Sequence, residues 1–286
     1  MSVRNDALTV QAPAKLNLTL EVLGKRRDGY HEIRSVIQTI SLSDTLSFQA
    51  SDRTEFESDL PEWQAEQSLV SQAVSLLREM TGCSRGVTIK VDKRIPLLSG
   101  LGGDSSDAAA TLRGLNELWG LGLSLETLSR SAARLGSDVP FFLHGGTALL
   151  GGRGEVVTLL PPLPRIWVVL VVPAIPRLPG KTKRLYESLK PAHYTDGRFT
   201  DKLVDVLRSG REIDLSLLFN TFENVAFDFF AELRTYRDHM LKVGASAVHL
   251  VGSGHSLFTL EKERARAEDL WQRLQQQRLE CYLLIT

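Results

Sequence analysis

Residues 96–112, PLLSGLGGDSSDAAATL, limit the fold of this chain more than any other stretch. Glycine tolerates positive φ and lets backbone N–H groups approach a ligand closely. Gly100, Gly102 and Gly103 therefore mark a loop that gathers free N–H groups just where an Ala-rich helix begins. Ser105 or Ser106 is expected to cap that helix, and the positive end of its dipole, with its first unpaired N–H groups, would hold a phosphate. The competing reading is a flexible turn before a surface helix. The order of apolar strand, Pro96, Gly-rich turn, paired serines and apolar helix favours the anion cradle. It is not a Walker A loop, because no Gly-Lys-Ser/Thr follows the glycines. Nor is it a dinucleotide fingerprint, since Ser105 occupies the place of the third glycine and two helices follow before another clear strand.

The 286 residues suit one large domain or two modest ones, and the Pro-rich stretch at 161–164 predicts a boundary between a first domain at 1–160 and a second domain at 161–286. Thirty-four basic side chains balance 34 acidic ones, which argues against nucleic acid as the main partner. Cys83 and Cys281 lie far apart and fit no metal-ligand spacing, so a reducing compartment is expected. Aliphatic runs such as 168–172 are too short to cross a bilayer, and the opening MSVRNDALTV lacks the apolar centre of a signal peptide. A cytoplasmic protein that works as a monomer or weak homodimer is expected.

Periodicity predicts strands at 8–22, split at Pro13, and at 33–40 and 45–48, around a charged turn at 24–31. Apolar residues at helical spacing predict a helix at 64–80, a strand at 87–91 leads into the Gly-rich loop, and helices follow at 106–119 and 124–135, the latter capped by Ser124. A turn-rich hinge is expected at 136–155 with a short strand near 147–150. Beyond it come a buried strand at 167–172, a basic loop at 177–183, and helices at 183–189, 200–207 and 227–243. A hairpin at 247–251 and 257–260, around a second Gly turn GSGHS, precedes a helix at 262–276 and a strand at 281–285. The fold class is α+β.

Three side chains stand out chemically. Asp138, in GSDVPFF, places a carboxylate beside an apolar wall, where it either caps a turn or serves chemistry. Lys15 stands among apolar neighbours in a strand pattern, where its ammonium is costly to bury unless it meets an anion; snorkelling to the surface is the alternative. Asn17, one strand period on, shares its face.

PLLSGLGGDSSDAAATL, together with PAKLNLTLEV at 13–22, RRDGYHEIRSVIQTISLSDTL at 26–46, GSDVPFF at 136–142 and GSGHSLF at 252–258, resembles the GHMP small-molecule kinases. Within them, DGYH after PAKLNL is most similar to the branch that phosphorylates a cytidine-diphosphate-linked sugar alcohol on the non-mevalonate isoprenoid route. The resemblance implies a two-lobed α+β fold, with an N-terminal lobe like ribosomal protein S5 domain 2 and a ferredoxin-like C-terminal lobe. It implies MgATP as phosphoryl donor, held along the loop formed by Pro96, Leu97, Leu98, Ser99, Gly100 and Leu101 and continued by Gly102, Gly103, Asp104, Ser105 and Ser106. Asp138 becomes the base that takes the proton of the attacking hydroxyl, and Lys15 its electrostatic partner, with Asn17 orienting the hydroxyl. Tyr30 would stack on the cytosine and His31 would hydrogen-bond its edge, with Thr182 lining the same pocket.

Two departures from the family pattern bear on details. Asp104 must point away from the phosphates or join the magnesium shell, and Gln67-Ser68-Leu69 replaces a pair that meets adenine in relatives, so adenine contacts and metal ligands stay unassigned. Lys181, Lys183 and Arg184 read as a solvated edge rather than a diphosphate clamp. A related kinase acting on mevalonate, homoserine or galactose, a non-catalytic nucleotide-binding module and an RNA-binding protein are the other readings of the same features.

Overall fold

The structure, a computed structural model, describes residues 7–176 and 180–286. The first six residues and positions 177–179 of the expected basic loop lie outside the described residues.

Alternation of apolar and polar side chains builds β1 (Leu8–Asn17), β2 (Thr19–Lys25) and β3 (His31–Ser51). Pro13 does not split the first of these. It sits inside β1, which pairs with β3 alone among the described strands, and an edge strand tolerates the missing N–H. The break falls at Leu18 instead. The two pieces expected at 33–48 are one strand, because burial alternates without interruption from Leu42 through Asp44 and Leu46 to Phe48. A short β4 (Thr54–Ser58) follows. Ser68 caps α1 (Leu69–Thr81) by accepting from the Val70 N–H, Gly82 closes it in the left-handed conformation, and the residues before it form a separate 3-10 turn at Ala65–Gln67.

After β5 (Gly86–Asp92) come α2 (Gly103–Leu118) and α3 (Leu125–Ala132), with Ser124 accepting from the Thr127 N–H as expected. Part of the expected hinge is a short helix, α4 (Val139–His144), whose Val139 to Leu143 side chains are all buried. Then follow β6 (Thr147–Gly151), β7 (Val156–Leu159), β8 (Trp167–Val171), α5 (Lys181–Ser188), α6 (Arg198–Arg208) and β9 (Phe219–Asn220). The single helix expected at 227–243 is two, α7 (Glu223–Phe229) and α8 (Ala231–Val243), because Phe230 leaves the helical region with φ −124° and ψ 86°. The chain ends with β10 (His249–Leu250), β11 (Leu257–Glu261), α9 (Arg264–Gln276) and β12 (Cys281–Ile285).

Two compact units alternate along the sequence, where the Pro-rich stretch predicts one boundary. One holds the chain up to Ala14 with Leu42–Leu97 and Gly102–Gly145; the other holds Lys15–Ser41, Leu98–Leu101 and Gly146–Thr286. In the first unit β5 runs antiparallel to the Thr45–Ser51 part of β3, and β4 adds to β5 in parallel. Helix α1 packs on α2, and α4 packs on both α2 and α3. Leu46, Phe48, Leu77, Ile89, Leu112 and Phe141 are fully buried in this unit. Gly114 lets α2 approach closely: a Cβ there would lie 2.6 Å from the Phe48 ring.

In the second unit β3 pairs antiparallel with β2 and with β6, a bulge falls between Val22 and Gly24, and β9 adds to β2 in parallel. A separate antiparallel sheet has the order β10-β11-β8-β12, and α9 packs on β8 and β12. The expected hairpin is present, with His249 opposite Phe258. Val169, Val171, Phe222, Leu250, Leu257 and Leu274 form the centre of this unit's core. Among the described residues no helix is long and apolar enough to cross a membrane.

Candidate active site

In the first unit, the end of the Gly-rich loop is a backbone device. Gly102, at φ 76°, is the N-cap of α2 and no side chain caps that helix. Ser105 and Ser106 are thus not caps as expected: the helix begins earlier, at Gly103, and the Ser106 N–H already bonds the Gly102 carbonyl at 2.9 Å. The Ser106 hydroxyl is buried and finds no hydrogen-bond partner among the described residues. A buried hydroxyl without a partner costs free energy unless a ligand completes it. Its place in the first turn of α2 suits a phosphate oxygen or a metal ion bound to one.

Asp104 turns away from this terminus. Its carboxylate accepts from the Ser68 hydroxyl at 2.8 Å and the Leu69 N–H at 3.1 Å, so it holds the start of α1. Below the loop, the buried Lys93 ammonium bonds Asp44 at 2.5 Å and Asp107 at 2.7 Å, while the other Asp44 oxygen takes the N–H groups of Arg94 and Ile95. Burial works against the Lys93 charge, but Asp107 and Asp44 more than offset it and raise its pKa. Burial also raises the Asp107 carboxyl well above its ordinary value, with Lys93 opposing. A Cβ on Gly103 would meet the Ile95 side chain at 3.1 Å and the Lys93 nitrogen at 3.4 Å. The triad thus fixes both ends of the turn from β5 into α2, a role that sequence reading left unassigned.

Asp138, also in this unit, is the N-cap of α4, half-buried, and makes no side-chain capping bond. Its carboxylate thus does not cap α4, the apolar segment that follows it in the chain.

In the second unit, Lys15 and Asn17 are both buried on β1. The Lys15 ammonium donates to Asn17 Oδ1 at 2.8 Å, Asn17 Nδ2 donates to Ser35 Oγ at 2.8 Å, and Ser35 passes the chain on to the Thr19 carbonyl. Lys15 does not snorkel. Its backbone N–H bonds the Leu101 carbonyl at 3.0 Å, which ties the strand directly to the Gly-rich loop. The second Gly turn closes on the same place. A Cβ on Gly100 would lie 2.5 Å from the Val251 carbonyl, and one on Gly252 would lie 3.2 Å from the Lys15 nitrogen. The backbone contact at Gly100 leaves no room for a side chain, and the one at Gly252 is tight.

Lys181 corrects the expectation of a solvated edge. Lys183 and Arg184 are exposed, but Lys181 is 7% exposed and its ammonium donates to the carbonyls of Leu98 (3.1 Å) and Gly254. Burial, with the nearby Lys15 charge adding to it, lowers its pKa to about 8. One residue on, the Thr182 hydroxyl meets that of Ser253 at 2.8 Å.

The rings gather at the start of β3. His31 stacks on Tyr186 with centroids 4.8 Å apart, and Tyr194 approaches it edge-on, with its hydroxyl 3.4 Å from His31 Nε2. Burial, and secondarily Lys25, lower the His31 pKa, which favours the neutral ring. Tyr30 is 54% exposed, and the Arg153 guanidinium covers its ring at 4.5 Å. Tyr186, Tyr194 and Arg153 escaped sequence reading as site residues. The signal for Tyr186 was its spacing, one helical turn after Thr182; nothing local marks the other two.

Residues 68–146 match the GHMP kinases N terminal domain. A 4-diphosphocytidyl-2-C-methyl-D-erythritol kinase of Dehalococcoides mccartyi (strain CBDB1) is 52% identical over 279 residues, covering 98% of each chain. One of Bacillus cereus (strain B4264) is 42% identical over 92% of this chain and 91% of its own. A crystal structure of 4-(cytidine 5'-diphospho)-2C-methyl-D-erythritol kinase superposes with a TM-score of 0.82 at 32% identity, covering 97% of this chain and 98% of that one. At 17% identity, the L. major mevalonate kinase shares the fold, with a TM-score of 0.70 and coverage of 100% and 98%. The chain belongs to the 4-diphosphocytidyl-2-C-methyl-D-erythritol kinase family, a branch of the two-lobed α+β GHMP kinases.

Proposed function

We propose that the chain transfers the γ-phosphoryl group of ATP to the 2-hydroxyl of 4-diphosphocytidyl-2-C-methyl-D-erythritol, a step in the non-mevalonate synthesis of isoprenoid precursors. The observation that carries this reading is the buried Lys15 ammonium, held by Asn17 and joined through its own strand to Leu101 of the Gly-rich loop. A buried cation beside a loop of this kind suits a site that receives negative charge.

In this reading the backbone N–H groups from Gly100 to Ser106 hold the phosphates, and the Ser106 hydroxyl completes them or the magnesium ion. That ion, when bound, neutralises charge on the phosphate oxygens. No cluster of three or more His, Cys, Asp or Glu side chains able to hold a metal exists among the described residues. This fits an ion held by phosphates, water and one or two protein oxygens. Asp138 takes the proton of the attacking hydroxyl, which Asn17 orients. Lys15 offsets the charge gathering on the transferring group. Tyr30 and His31 hold the cytosine, helped by Thr182, and the neutral state favoured for His31 lets its ring both donate and accept. A cytoplasmic setting, a monomeric or weakly dimeric state, independence from nucleic acid, and a functional division near residue 160 belong to the same proposal.

Asp138→Asn tests the chemistry. The amide cannot accept the proton, so kcat falls by roughly 10²- to 10⁴-fold while ATP binding changes little. A wild-type turnover number in that variant removes Asp138 from the reaction.

A further inference from the structure

A lysine that ties two carbonyls together is an expensive way to build a turn. A neutral amide makes the same bonds without a buried charge. Lys181 nevertheless places its ammonium, with no carboxylate partner among the described residues, between the Leu98 carbonyl of the Gly-rich loop and the Gly254 carbonyl of the second Gly turn. It does so near a second buried lysine, Lys15, whose charge opposes its own. A buried ammonium without a carboxylate partner is unfavourable in an empty site and becomes favourable once an anion arrives.

We propose that Lys181 is a positioning residue for the nucleotide phosphates: it holds the Gly-rich loop at Leu98 against the Gly254 turn and supplies that loop with positive charge. This rests on the kinase reading above and extends it to a residue that the Gly-rich loop itself does not contain. Its helix gives the strap a fixed mount. One turn along α5, Tyr186 stacks on His31, and beside Lys181 the Thr182 hydroxyl meets Ser253. The same helix therefore reaches both the loop and the ring cluster. Among the described residues, the charged group that acts on the ammonium is Lys15 on β1, and His255 follows Gly254 directly in the chain. Lys183, Arg184 and Glu187 on α5 itself are exposed.

The test is calorimetric titration of ADP with magnesium into the full chain, comparing wild type with Lys181→Gln and Lys181→Met from neutral pH to about pH 9.5. Lys181→Gln keeps a donor for the carbonyls and removes the charge. Both variants are expected to bind ADP about tenfold more weakly than wild type at neutral pH, the factor typical of one lost charge contact. Wild-type affinity is expected to fall as pH passes through about 8, where Lys181 loses its proton, and the variants to lack that fall. Wild-type affinity in Lys181→Gln, with the same alkaline fall, overturns the proposal. If Lys181→Met does not give a cooperative melting transition, Lys181→Gln and the wild-type pH series decide. Because no cytidine compound enters this titration, the kinase assignment and the Lys181 assignment fail separately. Lys181-dependent ADP binding without phosphorylation of the cytidine substrate counts against the former alone.

Discussion

At the scale of single residues, the same side-chain type takes opposite roles according to the turn of backbone beneath it. Asp104 and Asp107 lie three residues apart on α2. One caps α1 at the surface, and the other is buried against Lys93. Replacing Asp104 with Ala removes the acceptor for Ser68 Oγ and Leu69 N–H, and is expected to cost about 1 kcal/mol of stability, as for a lost helix cap. Chemical denaturation reads that loss. ADP affinity stays unchanged, and a large loss of it shows that Asp104 serves the phosphates instead.

His31 gives a pH prediction. Its folded-state pKa lies below the ordinary 6.5 because the ring is partly buried and near Lys25. The neutral ring is present above that lowered value, and both its stabilising contribution and the proposed cytosine contact decline as pH falls through it. The KM for the cytidine substrate is therefore expected to rise on acidification with a midpoint under 6.5, and His31→Asn to abolish that limb.

Lys15 and Asn17 were legible because a two-residue period on a strand puts both on one face, and they do meet at 2.8 Å. Lys181 was not. In KTKR the basic residues read alike, and only the start of α5 at Lys181 separates one buried ammonium from its exposed neighbours.

At the scale of elements, the sequence marks strands and helices well where periodicity is clean and poorly where a buried charge or a smooth apolar run hides the boundary. β3 looked divided because Asp44 occupies an inward position, and its carboxylate is buried there by Lys93. The junction of α7 and α8 was invisible because Phe229 and Phe230 contain neither Gly nor Pro. The start of α2 was misplaced because serines are common caps, whereas here a left-handed glycine leaves the first N–H groups of the helix without a side-chain partner. Gly114, inside α2, looks like a weak helical position and is a packing requirement. Gly114→Ala forces a methyl to within 2.6 Å of the buried Phe48 ring, despite the gain in helix propensity. Overpacking of this kind is expected to cost about 1–3 kcal/mol, read as a lowered denaturation midpoint, and an unchanged midpoint shows that the ring moves freely aside.

For the whole molecule, the order of the chain conceals its organisation. Residues 15–41 and the four residues Leu98–Leu101 belong to the same compact unit as everything after Gly146, so the Gly-rich loop contributes residues to both units. No local signal reports such interleaving, since the Pro-rich stretch is a real feature of the chain but compactness depends on contacts distant in sequence. The family, in contrast, was legible, because its motifs are scattered across nearly the whole length and the relatives match over the same span. As a member of this family, the scaffold is expected to phosphorylate a cytidine-diphosphate-linked alcohol. A coupled assay of ADP release, run on the purified chain with 4-diphosphocytidyl-2-C-methyl-D-erythritol, mevalonate, homoserine and galactose in parallel, tests it most directly. ADP is expected with the cytidine compound alone, and equal or faster release with any of the other three, or none with the cytidine compound, contradicts it.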